Sequence, residues 1–128
     1  MRLLIDTHLL LWAADDPRRV PAAARDLIED TGNTLVFSAA SIWEVAIKNG
    51  LGRDDFKTDP HLLRRGLLDN GYEELPITSE HATAVSLLPD LHKDPFDRML
   101  VAQARSEGLL LLTSDAAVEK YGGPVRRI

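Results

Sequence analysis

The sequence has no cysteine among its 128 residues. It can therefore form neither a disulfide framework nor a thiolate metal site. A chain without disulfides suits a reducing compartment, so we expect a cytoplasmic protein.

Long apolar runs are also missing. The longest lie around Leu9–Leu11 and Leu109–Leu112, far short of the roughly 20 residues that a transmembrane helix needs. Asp6 interrupts the first apolar stretch, which argues against a signal peptide. We therefore expect no membrane association.

The chain has no excess of positive charge, and its net charge is −5. Taken alone, this argues against nucleic-acid binding, because a protein usually meets phosphates with a basic face. Basic residues nevertheless occur in adjacent pairs, at Arg18–Arg19, Arg64–Arg65 and Arg126–Arg127. A negative net charge is compatible with a basic rim around an acidic pocket. The basic pairs therefore fit either a solvated surface of mixed charge or a nucleic-acid site.

The overall composition is ordinary for a soluble globular protein, with 45% apolar and 27% charged residues. The length suits one domain, residues 1–128, which would bury roughly two thirds of the surface of its unfolded chain.

Short apolar segments alternate with amphipathic ones along the chain. Strands are predicted at Arg2–Asp6, Leu35–Phe37, Glu74–Ile77, Leu109–Thr113 and Val125–Ile128. Helices are predicted at Thr7–Ala14, Pro21–Asp30, Ala39–Asn49, Asp59–Asn70, Ser79–Leu88, Pro95–Glu107 and Ala116–Tyr121. The expected N-caps are Ser38, Ser79 and Asp94, and Pro76 demotes its strand to an edge. The alternation predicts an α/β fold, with helices on both faces of a central, mostly parallel sheet of about four to five strands.

Four acids are placed to meet at one edge of this sheet. Asp6 ends the first strand, and Asp115 follows the strand at Leu109–Thr113. Glu44 lies two turns into the helix after the second strand, and Asp97 lies in the first turn of the helix that starts at Pro95. Ligands of open parallel sheets bind beyond the carboxyl ends of the strands, where these acids would lie.

Each acid also has an ordinary structural interpretation. Asp94 fits an N-cap before Pro95, and Asp97 would then favour the helix dipole. Asp6 or Asp115 alone would be a common turn residue after a strand. Glu44 fits this interpretation least well, because its neighbours in the helix are apolar.

Together, the four acids call for a positive partner, because buried like charges repel. Mg²⁺ and Mn²⁺ prefer carboxylate oxygens and water. An ion held in this way can activate water for attack on a phosphodiester.

The segments "LLIDTHLLLW", "SAASIWEVAIK", "HKDPFDRMLVAQA" and "LLLLTSD" occur in this order. As an ordered set they resemble the PIN-domain ribonucleases, particularly the VapC toxins of type II toxin–antitoxin systems. The resemblance covers essentially the whole chain. It implies the PIN fold, a Mg²⁺- or Mn²⁺-dependent endoribonuclease, a VapB-type antitoxin as partner, and a homodimer.

The resemblance also assigns the catalytic and metal-binding acids, which are Asp6, Glu44, Asp97 and Asp115. Asp6 and Asp97 would be the principal ligands, and Thr113 and Ser114 would line the pocket. Asp94 would be a helix cap and a candidate acid beside the metal ligands, without binding the metal directly. His8 would be either an outer group near Asp6 or a solvent-facing helix residue.

Two other functions stay open on the residues alone. A phosphoacceptor receiver domain also places aspartates at strand ends, although it usually has a paired acid after the first strand. A PIN-fold binding module that does not cleave is the second alternative. The RNA target and the number of metal ions are not determined by the sequence.

Overall fold

A computed structural model describes the whole chain, Met1–Ile128. The strands are β1 (Arg2–Ile5), β2 (Thr34–Ser38), β3 (Glu73–Leu75), β4 (Leu110–Thr113) and β5 (Val125–Arg127). The helices are α1 (Thr7–Asp15), α2 (Ala22–Glu29), α3 (Ala39–Gly50), α4 (Pro60–Asp69), α5 (Ser79–Ala84), α6 (Pro95–Glu107) and α7 (Ala116–Glu119). Short 3₁₀ turns lie at Pro17–Arg19 and Val85–Leu87.

The strands form one sheet in the order β3-β2-β1-β4-β5, and every neighbouring pair is parallel. This confirms the predicted parallel sheet. The chain proceeds outward from β1 to β3 on one side and then continues with β4 on the other side of β1. The strand order therefore reverses between β1 and β4, and the crevice expected to bind a ligand lies beyond their carboxyl ends.

Alternate residues of β1 enter two separate cores, which explains the three-layer architecture. Leu3 and Ile5 pack in a core with α1, α2, α3 and α4. Leu4 packs on the opposite face with α6 and α7. Successive side chains of a strand point to opposite faces, so a strand buried on both sides needs the unbroken apolar run that the sequence has here. The predicted α/β/α layering is confirmed.

Local capping chemistry sets several boundaries. Asp94 is the N-cap of α6 as predicted, because its Oδ1 accepts hydrogen bonds from the amides of Phe96 (2.9 Å) and Asp97 (3.1 Å). Gly108 ends the same helix with φ of 66°, a left-handed conformation that glycine adopts at little cost.

Three predicted boundaries, at α5 and β3, are wrong. Thr78, not Ser79, caps α5, because the Thr78 hydroxyl accepts from the His81 amide while His81 Nδ1 accepts from the Thr78 amide. This reciprocal pair outweighs a single serine cap. The helix also stops at Ala84 and gives way to the 3₁₀ turn, and Pro76 lies just outside β3 instead of within it.

The helices are all too short or too polar to cross a bilayer.

Candidate functional site

Asp6 lies at the carboxyl end of β1, buried to 5% exposure. Its amide donates to the Leu112 carbonyl of β4 (3.0 Å), and the Thr113 hydroxyl donates to its Oδ2 (2.6 Å). The same Thr113 oxygen accepts from the Asp115 amide (3.0 Å). Asp6 and Asp115 are therefore joined through one threonine at the reversal of strand order.

Glu44 is buried to 3% exposure on α3. Its Oε2 accepts a hydrogen bond from Lys48 Nζ at 2.5 Å, one helical turn further along. The Lys48 ammonium also lies over the ring of Phe56, 4.8 Å from its centroid. A buried carboxylate needs a positive partner, and in this structure Lys48 is that partner.

Asp97 lies in the first turn of α6, and its side chain is 15% exposed. Its Oδ2 contacts Nε2 of His92 at 3.2 Å. Asp115 is more open: it caps α7, with its Oδ1 accepting from the Ala117 amide at 2.8 Å.

Buried polar contacts hold together the elements that carry these acids. The Thr7 hydroxyl donates to Ser41 Oγ (2.9 Å), which joins α1 to α3. The Ser38 hydroxyl donates to Gln103 Oε1 (2.6 Å), which joins the end of β2 to α6. Each contact is buried, so it holds its helices without competition from water.

Two of the acids have strongly perturbed acidity. Burial raises the pKa of Asp6, an effect that the Thr113 hydrogen bond opposes and the charge of Glu44 reinforces. Burial is also the main reason that the pKa of Asp97 rises to about 8. The charges of four other acids add to this increase in pKa, namely Asp6, Asp94, Glu44 and Asp115. The four predicted acids thus share one electrostatic environment, with Asp94 close by.

The donor set fits a hard divalent cation by its chemistry. No three acidic or histidine side chains are arranged closely enough to hold one ion among them. Mg²⁺ does not require this, because it usually keeps several waters and takes only one or two carboxylates from the protein. Acids that hold protons above their usual pKa are the groups that gain most from a nearby cation.

Several contacts were not predicted from the sequence. His92 and Tyr121 were assigned no role, although His92 contacts Asp97 directly. The pairing of Lys48 with Glu44 follows from their four-residue spacing, which brings the two side chains together on one face of a helix. His8 Nε2 lies 3.5 Å from Asp55 Oδ2, and the His8 side chain is 43% exposed. This exposure agrees with the solvent-facing alternative. The charge of His8 nevertheless lowers the pKa of Asp6, which agrees with the alternative of a group near that acid.

Comparison with known sequences places these features in a family. The PIN domain family model matches residues 3–124. Ribonuclease VapC22 of Mycobacterium tuberculosis is 31% identical over 123 residues, which are 95% of this chain and 93% of that protein.

Solved structures share the fold at low identity. VapBC2 from Rickettsia felis, bound to a DNA fragment from its promoter, superposes with a TM-score of 0.73 at 13% identity, covering 99% of this chain and 98% of that one. VapBC-1 from nontypeable Haemophilus influenzae has a TM-score of 0.69 at 14% identity, with 100% and 97% covered. VapC20 of Mycobacterium tuberculosis, a toxin that cleaves the sarcin–ricin loop, has a TM-score of 0.64 at 18% identity, with 94% and 95% covered.

Proposed function

Because the chain belongs to the VapC branch of the PIN-domain family, we propose that it is an endoribonuclease toxin that hydrolyses RNA phosphodiester bonds. A cognate antitoxin would neutralise it. The order of strands also separates it from a receiver domain, whose sheet has the order 2-1-3-4-5, whereas β3-β2-β1-β4-β5 is found here.

The observation that carries the proposal is the environment of Asp97. Its pKa of about 8 reflects burial together with the charges of other acids at the carboxyl edge. An acid with this perturbation in a crevice is a candidate for the functional site. A structural role alone does not require several carboxylates to be held near one another.

We assign Asp6 and Asp97 as principal ligands of a hard divalent cation, Mg²⁺ or Mn²⁺. Glu44 and Asp115 complete the pocket directly or through water. A bound ion of this kind supplies an activated water and offsets negative charge on the phosphate during in-line attack.

Neighbouring residues set the charge and position of these carboxylates. Thr113 donates to Asp6 and so favours its ionised form. Lys48 donates to Glu44 and compensates its charge in the buried helix face. Asp94 caps α6 and thereby fixes the turn that carries Asp97. Arg98 is not free to hold a phosphate, because its guanidinium donates to the carbonyls of Pro89 and Val85.

A VapB-type antitoxin is the proposed partner, supported by the solved VapBC assemblies of similar fold. An acidic pocket suits an arginine from that partner, since a guanidinium can bind a carboxylate through two hydrogen bonds. Inhibition would then compete with the divalent ion. A complex in which the antitoxin leaves Asp6, Glu44, Asp97 and Asp115 open would contradict this part of the proposal.

We further propose that the toxin acts in the cytoplasm, where RNA is available, and that it forms a homodimer. Sedimentation velocity at micromolar concentration measures the assembly directly. A monomer mass throughout that range would contradict the dimer.

RNA cleavage by the purified protein tests the proposed activity. The wild type should cut RNA with Mg²⁺ or Mn²⁺ and not with EDTA, and sequencing the new RNA ends would identify the target. Asp6→Asn and Asp97→Asn should abolish cleavage and relieve growth arrest while the protein stays folded. Retained Mg²⁺-dependent cleavage in both variants would refute the site. RNA binding without any cleavage by the wild type would instead favour the PIN-fold binding module.

A further inference from the structure

His92 lies between the acidic site and a buried tyrosine. It occupies the segment before α6, and its side chain is 17% exposed. Its Nδ1 lies 2.7 Å from Tyr121 Oη, and its Nε2 lies 3.2 Å from Asp97 Oδ2. The imidazole also packs edge-on against the Tyr121 ring, with centroids 5.2 Å apart.

Arg98 sets the direction of the hydrogen bonds that link Tyr121, His92 and Asp97. Its Nη1 lies 2.9 Å from Tyr121 Oη, and a guanidinium can only donate. The tyrosine oxygen therefore accepts from Arg98 and has its own proton to donate. The other polar partner of that hydroxyl is His92 Nδ1.

The tautomer of His92 follows from this order. With Nδ1 accepting from Tyr121, the neutral imidazole carries its proton on Nε2. That proton is donated to Asp97 Oδ2. The hydrogen bonds thus run in one direction, from Arg98 through Tyr121 and His92 to Asp97.

Arg98 is itself held firmly. Its guanidinium donates to the carbonyl oxygens of Pro89 (3.0 Å), Val85 (3.3 Å) and His92 (3.4 Å). Tyr121, which links Arg98 to His92, is 6% exposed. The donor that reaches Asp97 is therefore anchored to the fold and does not depend on a mobile surface side chain.

Asp97 has no comparable support from elsewhere. His92 is the side chain that hydrogen-bonds its carboxylate, whereas Asp94 contacts only its backbone amide. We propose that His92 is a positioning residue that fixes the Asp97 carboxylate through Oδ2, so that Oδ1, which has no side-chain hydrogen bond, would be available to a divalent cation. The cation is part of the proposed function, so this inference rests on it.

The geometry explains why a neutral donor is suited to this place. A lysine here would compete with the cation for the carboxylate, whereas a neutral N–H orients one oxygen without replacing the ion. Partners that orient a metal ligand in this way typically change metal affinity by about 10- to 100-fold when they are removed.

Mn²⁺ binding to the purified full chain, followed by electron paramagnetic resonance and by calorimetry, tests the proposal without measuring catalysis. His92→Leu should raise the Kd for Mn²⁺ by about 10- to 100-fold. His92→Gln, whose amide can donate from near the position of Nε2, should recover most of that loss. Tyr121→Phe should cause a smaller loss of Mn²⁺ affinity. It removes the hydroxyl that keeps the His92 proton on Nε2, but the imidazole itself remains beside Asp97. His61→Leu is the matched control, since His61 is exposed on α4.

RNA cleavage as a function of Mn²⁺ concentration gives the second measurement. His92→Leu should need correspondingly more Mn²⁺ for half-maximal cleavage, with the KM for RNA unchanged. A merely structural role would instead lower the melting temperature in EDTA and leave the Mn²⁺ Kd of the folded protein unaltered. If His92→Leu does not fold, the Mn²⁺ affinity of Tyr121→Phe decides, and wild-type affinity in that variant would overturn the proposal.

The outcomes separate this inference from the proposed function. Wild-type cleavage together with an unchanged Mn²⁺ Kd in His92→Leu would overturn the role of His92 alone. A His92-dependent Mn²⁺ site in a protein that cleaves no RNA would overturn the ribonuclease and leave the positioning role supported. A wild type that binds no Mn²⁺ would overturn both.

Discussion

The Thr113 hydroxyl donates to Asp6 Oδ2 at 2.6 Å, across the two strands where the order of the sheet reverses. The two residues are separated by 107 positions in the chain. Because Thr113 also accepts from the Asp115 amide, it holds both acids of this edge. The hydrogen bond lowers the pKa of Asp6 against the opposing effect of burial.

Thr113→Val should therefore weaken metal binding. The change keeps the shape of the side chain and removes the donor, so the pKa of Asp6 should rise further and Mn²⁺ affinity at pH 7 should fall by about tenfold. Calorimetry measures the affinity, and Thr113→Ser, which keeps a hydroxyl, is the control. Equal affinities in the valine and serine variants would contradict the role given to this hydrogen bond.

Metal-free protein should lose stability as pH rises from about 4 to about 8. The pKa of Asp97 is raised from 3.8 to about 8, mainly by burial. Between these values the folded chain keeps a proton that the unfolded chain has released. The cost of ionising Asp97 is thus complete above the folded pKa and disappears as pH falls toward the unfolded one.

Asp97→Asn isolates this effect. In EDTA its melting temperature should exceed that of the wild type by about 5 °C at pH 9, and the two should converge near pH 4. Mn²⁺ should raise the wild-type midpoint by mass action and the variant midpoint less. Asp90→Asn changes an exposed acid and serves as the control. Parallel pH profiles for wild type and Asp97→Asn would be incompatible with the raised pKa.

Lys48→Met should destabilise the metal-free protein by about 3 kcal/mol, because it leaves the buried Glu44 charge without its partner. Chemical denaturation in EDTA measures the loss. The double variant Lys48→Met/Glu44→Gln should regain more than half of it, since the uncompensated charge is then absent. Mn²⁺ should stabilise Lys48→Met more than wild type if Glu44 borders the metal pocket. A Lys48→Met variant as stable as wild type would show that the pair is not needed.

Asp94 and Asp97 should differ in their response to the same substitution. Asparagine caps a helix about as well as aspartate, so Asp94→Asn should keep the fold and retain at least ten times the RNA cleavage of Asp97→Asn. Asp94→Ala should lower the free energy of unfolding by about 1 kcal/mol through loss of the cap. Equal loss of cleavage in Asp94→Asn and Asp97→Asn would mean that Asp94 also acts in the site.

Much of the fold was predictable because the relevant interactions are local. The apolar run Leu3–Ile5 suits a strand that is buried on both faces, as in a parallel sheet covered by helices. The Asp94–Pro95 pair contains its own cap, since the accepting side chain and the donating amides are two or three residues apart. The error at α5 has a local cause too: Thr78 and Ser79 are both plausible caps, and the reciprocal contact with His81 decides between them.

By itself, the sequence determined the parallel α/β/α architecture and placed Asp6 and Asp115 after strands and Glu44 and Asp97 on helices that follow. Only the tertiary structure decided which groups hold those acids. Thr113 reaches Asp6 because β4 lies beside β1, and Tyr121 orients His92 across 29 positions of chain. Periodicity and capping depend on neighbours within a few residues, and the sequence records them directly. The partner of a buried carboxylate depends on strand order and on which side chains meet at its reversal, and those contacts exist only once the sheet has formed.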